Sequence, residues 1–221
     1  MRARESLLIT VTLLAPFVVA SADGEILDRI AVSVGDRVIA TSDLDREIRV
    51  TAFLNGVKPD FSAPNKRATA DRMVEQMLVR RELETSRYPV PQPSDIEPAL
   101  AEFRKENYPD DSAYSQALAA YGVTGQDVKD LLLWQRTLLE FVDVRFRPGV
   151  QVSDRDIQDY FDKVVAPAAR AAHPTQPVAL EDFRGQIEQT LTGQRENREM
   201  DVWLQQARNR TLIVYHDEAL Q

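Results

Sequence analysis

Apolar residues recur along this chain with two periods, and the switch between them divides it into elements. From Ile30 to Val34 they alternate, with Ile30, Val32 and Val34 on one side and Ala31 and Ser33 on the other; Gly35-Asp36 interrupts, and Arg37-Val38-Ile39 follows. Period-two patterning around a Gly-Asp pair predicts a small β-hairpin, because glycine supplies the positive φ that a tight turn needs. Beyond it the spacing becomes helical. Leu44, Ile48 and Ala52 share a face in a first helix that stops near Asn55-Gly56. Met73, Val74, Met77 and Leu78 form the stripe of a second, which starts around Pro64 and is lost before Pro89-Val90-Pro91. Ile96, Leu100 and Phe103 line a third, and Tyr114, Leu118 and Tyr121 a short fourth ending at Gly122. A fifth carries Val128, Leu131, Leu132, Leu138, Leu139 and Val142 as far as Pro148-Gly149, and a sixth carries Ile157, Tyr160, Phe161 and Val164. Such stripes bury one another in a bundle.

Helix starts have a chemical signature of their own. Ser42, Ser94, Thr124 and Ser153 are followed three positions later by Asp45, Glu97, Asp127 and Asp156. The hydroxyl accepts from an unpaired first-turn N–H and the acid lies at the positive end of the helix dipole, so each pair predicts an N-terminus. From Pro167 to Ala179, three prolines among small and polar residues predict a linker. A last long helix is expected from about Leu180 to Arg208, with Phe183, Ile187 and Leu191 early and Met200, Trp203, Leu204 and Ala207 late. Its middle, Gly193 to Glu199, is polar all round and reads as exposed or weak. Leu212-Ile213-Val214-Tyr215 reads as a strand able to join the N-terminal hairpin. The expected fold is mainly α, a helical bundle with a small N-terminal β-hairpin joined by a short C-terminal strand.

The first residues have another pattern. A basic start with Arg2 and Arg4 precedes an uncharged, mostly apolar run from Leu7 to Ala20, and Ala20-Ser21-Ala22 is followed by Asp23. These are the parts of a cleavable export signal over residues 1–22. The run is shorter than the ~20 apolar residues that span a bilayer, so cleavage after Ala22 and a periplasmic location are expected, with no stable membrane span afterwards. Residues 23–166 then form the N-terminal part of a core, 167–179 a linker, and 180–221 the helix and strand that complete the same core.

Composition narrows the chemistry. With no cysteine, thiol catalysis, disulfide frameworks and cysteine-held metal sites are excluded. A net charge of −8 argues against a broad grip on nucleic acid. The two histidines, His173 and His216, have no acid or hydroxyl at a spacing that suggests a triad or metal site. Asp110-Asp111, Asp154/Asp156 and Asp217-Glu218 do not follow a calcium-loop pattern, and the first two groups suit helix starts. No phosphate loop or nucleophile elbow is present, so no catalytic residue, cofactor or metal is expected. What remains is surface. Met73 and Met77 lie one turn apart, and Tyr114, Tyr121, Trp134 and Phe141 sit on adjacent helical segments, Trp134 off the main stripe of its helix. Methionines and amphipathic aromatics suit an adaptable peptide-binding groove, although each can equally fill the core.

The order of these parts resembles the SurA-type periplasmic chaperones, relatives of the parvulin prolyl isomerases. The run from Asp28 to Ile48 is similar to that family's opening strand, turn and capped helix; Met73 to Leu83 is similar to its next helix. Val152-Ser-Asp-Arg-Asp-Ile-Gln-Asp-Tyr-Phe161 resembles its Val-Ser/Thr-Asp/Glu-x-x-Ile-x-x-Tyr-Tyr/Phe helix, and Phe183 to Ile187, Trp203-Leu204 and Ile213-Val214 its C-terminal helix and strand. The family carries one or two parvulin domains between the sixth and last helices, each needing about 100 residues. The linker here is far too short, so no isomerase residue has a position to land on. The resemblance implies an ATP-independent holdase core for unfolded exported polypeptides, typically outer-membrane β-barrel precursors, with a homodimer left open. A residual prolyl isomerase, or an envelope subunit binding one folded partner, are the alternatives.

Overall fold

A computed structural model describes residues 28–172 and 176–221. The expected export signal and His173 lie outside the described residues. The protein is mainly helical with a small three-stranded antiparallel sheet. Strands β1 (Ile30–Val34) and β2 (Arg37–Ala40) form the expected hairpin, and Gly35 turns it with φ of 61°. The register shifts between Ile30 and Val32, a bulge that lets the consecutive residues Ala31 and Val32 both be buried. Strand β3 (Ile213–Tyr215) pairs with the other side of β1, giving the order β2-β1-β3. The Gly35 N–H donates to the Leu212 carbonyl at 2.8 Å and the His216 N–H to the Ala31 carbonyl at 2.9 Å, closing the two ends of that ladder.

Helix α1 (Thr41–Leu54) begins earlier than the Ser42/Asp45 pair predicts. Asp43 accepts from the Ala40 N–H at 3.1 Å, while Asp28, from ahead of β1, accepts from the Thr41 hydroxyl at 2.7 Å and from the N–H and hydroxyl of Ser42. A carboxylate distant in sequence thus takes the capping role, and the Ser42 and Thr41 hydroxyls hold its pKa below the ordinary value. Helix α2 spans Ala63–Thr85. Helix α3 (Glu97–Asn107) follows a 3₁₀ turn, Pro93–Ile96, in which Asp95 accepts from the Gln92 N–H at 2.7 Å, so Ser94 is not the cap. Helix α4 (Asp111–Tyr121) is capped by Asp110 and ends on Gly122 with φ of 65°. Helices α5 (Gly125–Phe146) and α6 (Asp154–Tyr160) open on the predicted Thr124/Asp127 and Ser153/Asp156 pairs, each with reciprocal bonds.

The linker expected from Pro167 begins later than predicted. Helix α6 continues through a π turn, Phe161–Val165, into α7 (Ala166–Ala172). Proline interrupts a helix because its ring crowds the preceding turn and it lacks an N–H. Here the Ala166 N–H bonds back five residues to Phe161, widening the turn just ahead of Pro167, and the alanines beyond have the highest helix propensity. Helix α8 (Arg184–Asn209) runs unbroken through the polar stretch at Gly193–Glu199. Glu196 in that stretch is buried and accepts from Arg147 at 2.7 Å, which gives the stretch a tertiary anchor.

Three apolar clusters result. The largest surrounds Phe53, Tyr114, Trp134 and Phe141 from α1, α4 and α5 and takes in Met200 of α8. A second lies under the sheet, where Val32, Val34 and Ile39 meet Ala70, Val74 and Leu78 of α2, with Ala219 and Leu220 beneath. The third, around Ile157, Phe161 and Ile187, joins α6 and α7 to the first half of α8 as a helical arm. One helix therefore serves the arm with its N-terminal half and the bundle with its C-terminal half.

Phe53 is buried and packs against four rings at 5.5–6.0 Å. Replacing it with alanine is expected to lower the unfolding free energy by about 3–5 kcal/mol, measured by urea titration. At α6 the Ser153 hydroxyl and N–H, with Arg195 beside them, hold Asp156 at a pKa of about 2. Its folded pKa is depressed, so its stabilising contribution is present above its ordinary 3.8 and is lost as pH falls through about 2. Titration of its side-chain carbon by NMR should give that midpoint, and Ser153→Ala should move it upward.

Candidate functional site

The six residues expected to line one groove are divided among three places. Tyr114, 7% exposed, and the half-buried Tyr121 pack edge-on against Phe53 with Phe103 and Tyr108 nearby. Phe141, 1% exposed, is enclosed by Tyr88, Phe146 and Trp203 at 5.3–5.8 Å. Tyr114 and Phe141 are thus core rings with almost no surface to offer, because α4 turns Tyr114 onto Phe53 of α1 and α5 turns Phe141 onto Trp203 of α8.

Met73, Met77 and Trp134 do come together. Between α1, α2 and α5 lies a hollow of about 230 Å³ with Ile39, Val50, Leu131, both methionines and the Trp134 ring on its walls. A second hollow of about 490 Å³, bordered by Leu83, Val90, Leu133 and Thr137, lies on the other side of the same tryptophan. Arg80 and Asp130 border both. The Arg80 guanidinium stands over the Trp134 ring, 4.1 Å from its centroid. The indole itself is 5% exposed, so the pair forms a saddle between the hollows.

The rim is acidic. Asp43, Glu47, Asp127 and Asp130 border the first hollow and Glu84 the second, against Arg46 and Arg80. Arg46 is 3.6 Å from Asp43 and 3.9 Å from Asp127, and Glu84 pairs with Arg37 at 2.5 Å. Glu47 accepts from Gln76 at 3.3 Å and Asp130 from Gln126 at 2.7 Å, both neutral donors. Arg80 has no carboxylate within 4.0 Å among the described residues. Loss of water around its charged end lowers its pKa from the ordinary value, while Glu47, Asp130 and Glu84 oppose that shift.

Arg80, Glu47 and Asp130 are the residues that apolar patterning overlooks. Their signal was nonetheless present: Met73, Met77, Arg80 and Glu84 follow one another at helical spacing, as do Asp127, Asp130 and Trp134, so each set shares a face. A groove is written in the mixed face of each helix rather than in its apolar stripe.

Elsewhere the β1–β3 pairing brings His216 to 3.3 Å from the Ser33 hydroxyl, a contact hidden in the sequence by a separation of 183 positions. Among the described residues no carboxylate bonds that imidazole, and no group of three His, Asp or Glu is placed to hold a metal. No helix among them is long and apolar enough to cross a membrane. No family model matches the chain, and no curated protein matches it.

The split between core and groove is measurable. Phe141→Ala should cost about 3–5 kcal/mol of stability in urea titration, whereas Met77→Ala, at a half-exposed position, should cost about 1–2 kcal/mol.

Proposed function

We propose that this protein is an exported, ATP-independent chaperone core of the SurA type that holds unfolded polypeptides and lacks a prolyl-isomerase domain. The observation that carries the reading is the sheet order β2-β1-β3, in which the N-terminal hairpin is completed by a strand from the far end of the chain. That closure, followed by α1 and α2 and served by the last long helix, is the arrangement the resemblance implies for the family's core. A second observation agrees with it. The segment between the sixth and last helices of the family pattern falls at the end of the arm, between Ala172 and Leu180, where an inserted domain would leave the bundle and sheet undisturbed. An arm of this kind tolerates either a domain or a short connection.

A holdase needs apolar surface that stays soluble while it waits for a client. The Met73–Met77–Trp134 groove meets that need: its floor is apolar and soft, its rim is charged, and its hollows of about 230 and 490 Å³ suit side chains of an extended segment rather than a folded partner. Unfolded outer-membrane β-barrel precursors are the expected clients.

Residues 23–221 should suppress the aggregation of several unrelated unfolded β-barrel proteins, followed by light scattering on dilution from urea, without added nucleotide. They should not accelerate proline isomerisation in a model peptide beyond the uncatalysed rate. Binding to a single native envelope protein with no effect on unfolded clients would replace this reading with that of a structural subunit.

A further inference from the structure

The middle of the groove already holds a cation. Arg80 lies over the Trp134 face at 4.1 Å, among Glu47, Asp130 and Glu84, yet none of these reaches ion-pair distance. Other arginines around the groove are held by carboxylates: Arg37 by Glu84 at 2.5 Å and Arg46 by Asp43 at 3.6 Å. Arg80 is therefore retained by a ring face and a diffuse field, without the bidentate fork that fixes a guanidinium. A long side chain held by a single cation–π contact at an exposed position is weakly restrained.

If Arg80 swings outward, three things change together. The Trp134 face is uncovered, the two hollows are no longer parted by a guanidinium, and of the five bordering carboxylates Glu47 and Asp130 are left with no ion-pair partner among the described residues while Arg46 and Arg37 keep theirs. The emptied position suits another cation, since it offers an aromatic face with carboxylates around it. On either side of it lies apolar wall: Met73 and Met77 in one direction, Leu83 and Leu133 in the other. In an extended chain alternate side chains project to one face. A segment reading apolar-x-cation-x-apolar therefore presents its three inward side chains in the order hollow, saddle, hollow.

We propose that the groove selects extended segments carrying Lys or Arg between apolar residues, and that Arg80 is a resident stand-in which the client's cation displaces. This rests on the chaperone reading and names the client chemistry of the same groove. Arg80 then does two jobs: it shields the indole when no client is present, and it sets a threshold that purely apolar segments do not profit from crossing.

The test uses three fluorescently labelled peptides of the pattern Leu-Ser-X-Ser-Phe within a Gly/Ser frame, where X is arginine, norleucine or glutamate, followed by anisotropy at low salt. The arginine peptide should bind roughly tenfold more tightly than the glutamate peptide, and 0.5 M salt should shrink that gap, as screening requires. Arg80→Ala should tighten the arginine peptide by about threefold to tenfold, because the competing cation is gone, and should change the norleucine peptide less. Trp134→Leu, which keeps an apolar wall and every carboxylate, should reduce the preference for arginine and leave the remainder more sensitive to salt. Equal binding of the three peptides, or weakening of the arginine peptide by Arg80→Ala, would overturn the proposal. If aggregation of unfolded clients is suppressed but no charge preference is found, the selectivity falls and the chaperone reading stands. If the arginine preference is found without any suppression of aggregation, the groove assignment stands and the chaperone reading falls.

Discussion

Strand β1 is the member on which the rest of the structure rests, because it is bonded on both sides by segments from opposite ends of the chain. β2 follows it through a two-residue turn, whereas β3 arrives after all eight helices have been laid down. A lone hairpin is marginal in water, and a third strand with a covered face is what makes such a sheet persist. That face is covered by α2 through Ala70, Val74 and Leu78, and the end of the chain tucks Ala219 and Leu220 under the same strands. The hairpin also sets the start of α1, since Asp28 on one side of it caps the helix that emerges from the other. Groove geometry follows from this, because Ile39 of β2, α1 and α2 form one wall of the hollow that holds Met73 and Met77.

The second organising element is α8, whose two ends belong to different clusters. Between them its surface is polar, and a helix polar on all sides needs partners to persist in one place. Arg147 supplies one by bonding buried Glu196, while Arg195 reaches Asp156 at 2.9 Å and the Gln151 carbonyl, and Arg184 reaches Asp154 at 2.8 Å. Charged contacts thus brace α8 within the arm, through Asp154 and Asp156, and tie it to the end of α5 through Arg147, where the bundle is held by rings. Such contacts are weak singly and sensitive to salt, whereas Phe141 among Tyr88, Phe146 and Trp203 is neither. The same separation holds at the groove, where a partly desolvated guanidinium covers a buried indole.

What was legible in the sequence was whatever local rules govern. The hairpin, the Thr124/Asp127 and Ser153/Asp156 caps and the end of α4 at Gly122 each depend on neighbours a few positions away, and the strand at Ile213–Tyr215 shows in its apolar run although its partner β1 is distant. The differences arise partly from contacts made at long range and partly from local backbone geometry that spacing does not reveal. Ser42 was assigned as a cap that Asp28 and Asp43 displace, and Pro167 as a break that a π turn one residue upstream absorbs. Gly193–Glu199 reads as exposed or weak because the partner of Glu196 lies in the turn that follows α5. At the candidate site, helical spacing located Met73 and Met77 correctly on one face, but amphipathicity does not say which aromatic rings are roofed by a neighbouring helix. Tyr114 and Phe141 are enclosed by other rings; Trp134 belongs to the same cluster but also has the Arg80 guanidinium over its face.

The sheet closure has a consequence for the order of events during synthesis. Ser33 and His216 stand side by side although 183 positions apart in sequence, so the sheet is among the most non-local contacts the chain can make. Contacts of that separation are slow to form, since a long loop must close before they are rewarded. The first strand is made early and must wait for a partner that is made late. During that interval the hairpin lacks its third strand and the lower layer of its apolar floor. The complete sheet is thereby among the last parts of the fold to close, after the helices between its strands have had time to form.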